Sequence, residues 1–170
     1  TGGALLLVAH LHAIWSKWNG MCELRVFLHS SKEMMVQTTA QVMRMIQKFR
    51  IPLSGVEPFD MFSKPTQKSY DRFPDVFDKT AESFEGDTLK ITNFKSKLKR
   101  FLRVGEVIAE RSKDSTFVYM TLPFPAVPEK VSATQYLTWL EAVAFADKGE
   151  SSPPICFLRG NQKNVLTFYS

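Results

Sequence analysis

A chain of 170 residues suffices for one well-buried domain and is short for two, and its 44% hydrophobic content, with 14 Phe and 3 Trp, excludes a disordered polypeptide. The formal charge of +5 is mild. It suits a protein near an acidic surface or a plain soluble domain, and does not by itself argue for nucleic-acid binding.

Cys22 and Cys156 both fall in predicted strands, where a reduced thiol behaves as a small apolar residue. With no C-x-x-C spacing and too few cysteines for a disulfide framework, a cytosolic compartment is favoured over a secreted one. No apolar run reaches the roughly 18 residues of a membrane span. The chain opens at Thr1 on a Gly-Gly pair rather than on Met, which reads as a fragment of a longer protein.

In chain order, Ala4 to Trp18 is apolar nearly throughout and rich in Ala and Leu, which favours a helix over a strand. Gly2-Gly3 before it reads as a strand-to-helix turn and implies a strand upstream. Asn19-Gly20 closes the helix, and Glu23 to His29 follows as a strand. Ser30-Ser-Lys-Glu33 has the spacing of a capping box. The helix it opens carries Met35, Thr39, Val42, Met43, Ile46 and Phe49 on its inner face, and Pro52 ends it. Leu53 to Phe59 is a third strand, with Pro58 marking an edge or an end.

Residues 63–93 read as a polar connector with one short helix around Gln67 to Lys79. From Phe94 to Arg111 the helical period returns, with Leu98, Phe101, Leu102, Gly105 and Ile108 on one side. Lys95, Lys97, Lys99, Arg100 and Arg103 occupy the other, near a helix start that favours acids. Two readings of that basic side stand: a solvated face whose long stems cover apolar surface, or a docking stripe for an acidic partner or an anionic membrane.

Thr116 to Leu122 is a strand ended by Pro123, Pro125 and Pro128. Ser132-Ala-Thr-Gln135 is a second capping box, and Tyr136, Leu137, Leu140, Val143 and Ala144 fall on one face of the helix it starts. Ile155 to Leu158 is again a strand. This β-α-β unit is the centre of the reading, because such a crossover joins parallel strands. A polar turn at Arg159-Gly160-Asn161 then returns the chain to Tyr169 as a hairpin. The fold class is therefore α/β: a mostly parallel sheet flanked by helices on both faces, with a C-terminal antiparallel hairpin, in a single domain spanning 1–170.

Chemistry is sparse. No phosphate-binding loop, dinucleotide fingerprint or nucleophile elbow occurs in the sequence. Gly2-Gly3 could offer backbone N–H groups to an anion, or simply make a tight turn. His10 and His12, with distant His29, could share an ion only if their segment were a strand. Trp15, Trp18 and Trp139 read as core or rim residues, and Asp75 and Asp78 as part of the polar connector. No catalytic, cofactor-binding or metal-binding residue is named, and no cofactor is expected.

The second half nevertheless looks familiar through Val104-Gly-Glu-Val-Ile, Val118-Tyr-Met-Thr-Leu-Pro, Tyr136-Leu-Thr-Trp-Leu-Glu-Ala, and Pro153-Pro-Ile-Cys-Phe-Leu-Arg-Gly-Asn with Val165-Leu-Thr-Phe-Tyr-Ser. These residues resemble the end of the cytosolic C-terminal domain of the cation-chloride cotransporters, solute carrier family 12, in its sodium-potassium-chloride branch. Gly2-Gly-Ala-Leu-Leu-Leu, Cys22-Glu-Leu-Arg-Val-Phe and Phe49-Arg-Ile extend the resemblance more loosely over the first half. It implies a non-catalytic domain with a fold similar to universal stress proteins, part of a larger cytosolic regulatory domain on the cytoplasmic side of the plasma membrane in a multi-pass protein. Implied partners are a second copy, the transmembrane domain of the same transporter and regulatory kinases, with no nucleic acid. A stress-protein-like nucleotide-binding protein is the alternative.

Overall fold

The computed structural model describes residues 2–15, 21–71, 88–125, 131–144 and 152–160. They form α1 (Gly2–Trp15), β1 (Arg25–Ser30), α2 (Met35–Phe49), β2 (Gly55–Asp60), α3 (Gln67–Asp71), α4 (Thr88–Arg111), β3 (Val118–Thr121), α5 (Ala133–Ala144) and β4 (Ile155–Leu158). The fold is α/β, and its strands pair in parallel, as the β-α-β spacing predicts. β1 lies alongside β2, with Arg25 opposite Gly55 and Ser30 opposite Asp60. β3 pairs with β4, the Val118 N–H donating to the Pro154 carbonyl at 2.9 Å and the Leu122 N–H to that of Leu158 at 2.8 Å. The expected C-terminal hairpin falls largely on residues 161–170, outside the described residues.

The chain divides into two compact units. One comprises Thr1–Asp60, Tyr119–Leu122 and Cys156–Ser170, the other Met61–Val118 and Pro123–Ile155.

In the first unit, Leu6 of α1, Ile46 of α2 and Ile51 are buried together among Val26, Val42, Met45, Phe49 and Val56. The inner face of α2 departs from the expected one at Met43, which is exposed, while Met45 packs inward. The Ser30–Glu33 capping box does not form. Met34 stands at the helix start with φ −94° and ψ −6° and makes no side-chain cap, whereas capping needs an extended residue there. Its N–H closes a turn on the Ser31 carbonyl at 3.1 Å, so the helix starts later than the motif implies.

At the other end of α2, Arg50 adopts a left-handed conformation (φ 51°), and the Ile51 N–H reaches back to the Ile46 carbonyl at 3.1 Å. This is a Schellman-type stop, completed by the packing of Ile51 on Ile46 just before Pro52. Gly2 and Gly3 are the first residues of α1 rather than a turn before it. A Cβ at Gly3 would meet Met45 Sδ at 3.7 Å, an ordinary contact, so space alone does not demand glycine. Cys22 is exposed and precedes β1 instead of lying within it; Cys156 sits half-buried in β4, and both are free thiols.

The second unit is built on α4 against α5. Leu98 and Leu102 are fully shielded at 0% exposure, and Phe94, Trp139 and Ala142 complete their cluster. Phe94 stacks on Trp139 at 6.3 Å between centroids and Phe101 lies at 5.6 Å, which makes Trp139 a core residue. The capping box at the start of α5 forms as its spacing predicts. The Gln135 N–H donates to Ser132 Oγ at 3.2 Å, and the Ser132 N–H to Gln135 Oε1 at 3.1 Å.

The buried face of α5 nevertheless differs from the expected one. Gln135, Thr138, Trp139, Ala142 and Val143 turn inward, whereas Leu137 is 62% exposed. Thr138 tolerates burial because its hydroxyl donates to the Thr134 carbonyl at 2.9 Å. Leu98→Ala should therefore lower the unfolding free energy by about 2–5 kcal/mol, and Leu137→Ala should stay within about 0.5 kcal/mol, measured by urea denaturation.

Candidate functional site

A dense polar arrangement centres on Glu106, an acid inside the apolar run Val104-Gly-Glu-Val-Ile and only 6% exposed. The short helix α3 turns its first residues toward it. The Thr66 N–H donates to Glu106 Oε1 at 2.7 Å, the Thr66 hydroxyl at 2.8 Å and the Ser69 hydroxyl at 2.5 Å. On the other oxygen, Arg103 donates at 2.9 Å, and the same guanidinium nitrogen lies 3.8 Å from Glu110.

Burial alone pushes the Glu106 carboxyl upward. The hydrogen bonds from Ser69, the Thr66 backbone, Arg103 and the Thr66 hydroxyl together outweigh it, and the net direction is down. Tyr70 moves up, through its own burial and then the nearby Glu106 charge. A carboxylate held below its ordinary range is a weak base, and Ser69 beside it is buried. The cluster is thus a poor nucleophile-activating pair and a strong clasp between α3 and α4.

The basic side of α4 lies on aromatic rings. Lys97 Nζ is 5.2 Å from the Trp139 centroid, Lys99 Nζ 5.8 Å from Tyr70, and the Arg100 guanidinium 4.6 Å from Phe62. Their stems cover apolar surface while the charge is kept, a geometry compatible with both readings of this side. In the other unit, His12 of α1 meets the Tyr119 hydroxyl through Nδ1, its ring edge-on to the tyrosine at 5.9 Å. Burial and then Cys156 push the Tyr119 phenol upward. His29 lies exposed in β1, and no group of three or more metal-ligating side chains gathers among the described residues. Asp75, Asp78 and Trp18 fall outside the described residues, as does the Trp15 side chain.

The sequence reading named no site residue and so missed Glu106. Its partners are distant in sequence; the one available signal was an acid on the inner face of an apolar helix, a position tolerated only with a partner.

The described residues form an α/β fold in which the convergent polar groups around Glu106 join α3 to α4. The description of solute carrier family 12 matches residues 1–170 in full, and the chain belongs to that family, one of membrane transporters rather than enzymes. Solute carrier family 12 member 2 of Homo sapiens is 30% identical over 190 residues, covering 99% of this chain and 15% of the relative. Member 1 of Oryctolagus cuniculus is 28% identical over 187 residues, with 99% and 16% covered. The bumetanide-sensitive sodium-(potassium)-chloride cotransporter of Manduca sexta is 29% identical over 179 residues, again with 99% and 16% covered. The chain therefore spans about 15–16% of the length of these curated relatives.

Replacing Glu106 by Leu removes the acceptor of the Thr66 N–H and of the Thr66 and Ser69 hydroxyls and leaves Arg103 only its longer approach to Glu110, and should cost about 2–4 kcal/mol of unfolding free energy near neutral pH. The carboxyl titrates lower in the folded chain than in the unfolded one, whose ordinary value is about pH 4.3. Its contribution is thus complete above that pH and fades as pH falls through the folded value. Denaturant unfolding across this range should show the gap between the parent and Glu106→Leu narrowing in acid.

Proposed function

We propose that this chain is part of the cytosolic C-terminal regulatory and dimerisation domain of a sodium-dependent cation-chloride cotransporter, on the cytoplasmic side of the plasma membrane. Ion binding and translocation belong to the membrane part of the same protein, and this part acts on assembly, surface delivery and control by kinases. The observation that carries the reading is the family match over all 170 residues. It is joined by the printed name of the Manduca sexta relative, a sodium-(potassium)-chloride cotransporter. No helix among the described residues is long and apolar enough to cross a membrane. Of the helices, α2 and α4 each bury one face and carry charge on the rest, an arrangement suited to protein contacts.

The test uses the intact cotransporter with Leu98→Asp in this region, which places a charge in the fully buried seam between α4 and α5. Chemical cross-linking and surface biotinylation should show several-fold less dimer and less protein at the surface. The molecules that do arrive should keep their ion selectivity. Unchanged assembly and delivery, or altered selectivity, would overturn the proposal.

A further inference from the structure

The charge on α4 is extreme for the chain. Seven Lys and Arg stand against two Glu within Thr88–Arg111, an excess of five that equals the formal +5 of the whole protein. Both acids lie in the second half, and the first turn contains none, although the partial positive charge of a helix start disfavours nearby cations. Leu89, Asn93, Ser96, Arg100 and Arg103 recur along one line of the helix, facing away from the buried Leu98 and Leu102, with Lys97 and Lys99 on its flanks. Two large apolar side chains stand on this same outer face: Leu89, 72% exposed, and Phe62, 53% exposed and touching Arg100.

We propose that this face of α4 docks on the anionic leaflet of a lipid bilayer. The combination selects that partner over an acidic protein. Arg103, whose planar fork suits bidentate capture of a carboxylate, is committed to Glu106 and Glu110. What remains is mostly lysine, a set of point charges suited to a diffuse negative surface. Leu89 and Phe62 then supply the shallow apolar contact that an interface accepts and an acidic peptide does not need. The apolar face of the helix is already buried against α5, so docking is peripheral and salt-sensitive rather than inserted. The chain's family is one of membrane transporters, which keeps a bilayer within reach. The inference is independent of dimerisation and kinase control, since it is read on the chain alone.

The experiment is co-sedimentation of the full chain with phosphatidylcholine vesicles containing phosphatidylserine, beside pure phosphatidylcholine vesicles, over a salt series. Binding should require phosphatidylserine and fall as salt rises. The triple variant Lys97→Gln, Lys99→Gln, Arg100→Gln should weaken it on the order of a hundredfold, at about 1 kcal/mol per cation near such a surface. Circular dichroism checks that the variant keeps its helices, and the salt series on the unaltered chain stands if it does not. Leu89→Ser should reduce binding further without changing the salt slope. Equal binding to both vesicle types, insensitivity to salt, or a folded triple variant that binds as before would overturn the proposal. So would polyglutamate binding as tightly as the vesicles with Leu89→Ser affecting neither, which would make the face a dock for an acidic protein.

Discussion

The second unit depends on one seam, where Leu98 and Leu102 of α4 meet Trp139 and Ala142 of α5 with essentially no solvent left between them. Burial of this kind contributes roughly 25 cal/mol for each Å² of apolar surface removed from water, so a few large side chains can fix two helices. Trp139 is central because three aromatic rings, Phe94, Phe101 and Tyr136, all reach it. The same indole offers its ring to Lys97. One residue thus connects the dry interior to the charged exterior of α4.

A polar fastening complements that seam. Glu106 accepts from residues 37 and 40 positions earlier in the chain, which ties the start of α3 to α4. Because α3 is a five-residue helix, far below the length at which a helix is stable alone, its order has to come from such contacts. The hydroxyl of Thr66 serves twice there, accepting from the Ser69 N–H and donating to the carboxylate. In the first unit an apolar cluster and a Schellman-type stop take the corresponding role at α2.

Strand and helix types were legible in the sequence wherever the signal was local. The Ser132–Gln135 box, the strand at Ile155–Leu158 and the parallel pairing all follow from short-range spacing. The look-alike Ser30–Glu33 motif misled, because residue spacing does not reveal whether the backbone at the cap is extended. The inner face of α5 was misjudged for a related reason. Gln135 and Thr138 satisfy their polar atoms within one turn and can be buried, a possibility that a pattern of apolar residues alone overlooks. Glu106 was hidden by distance along the chain, even though it lies inside one of the stretches that carried the family resemblance. That resemblance reached further than motif chemistry because it drew on many weak positions, and the full-length family match agrees with it.

Both strand pairs are parallel, and each is separated in the chain by an entire helix. Neither can zip outward from a turn; each has to wait until the intervening segment has collapsed. During synthesis the four short strands among the described residues therefore remain open ribbons for longer than a hairpin would, free to mate with any extended neighbour.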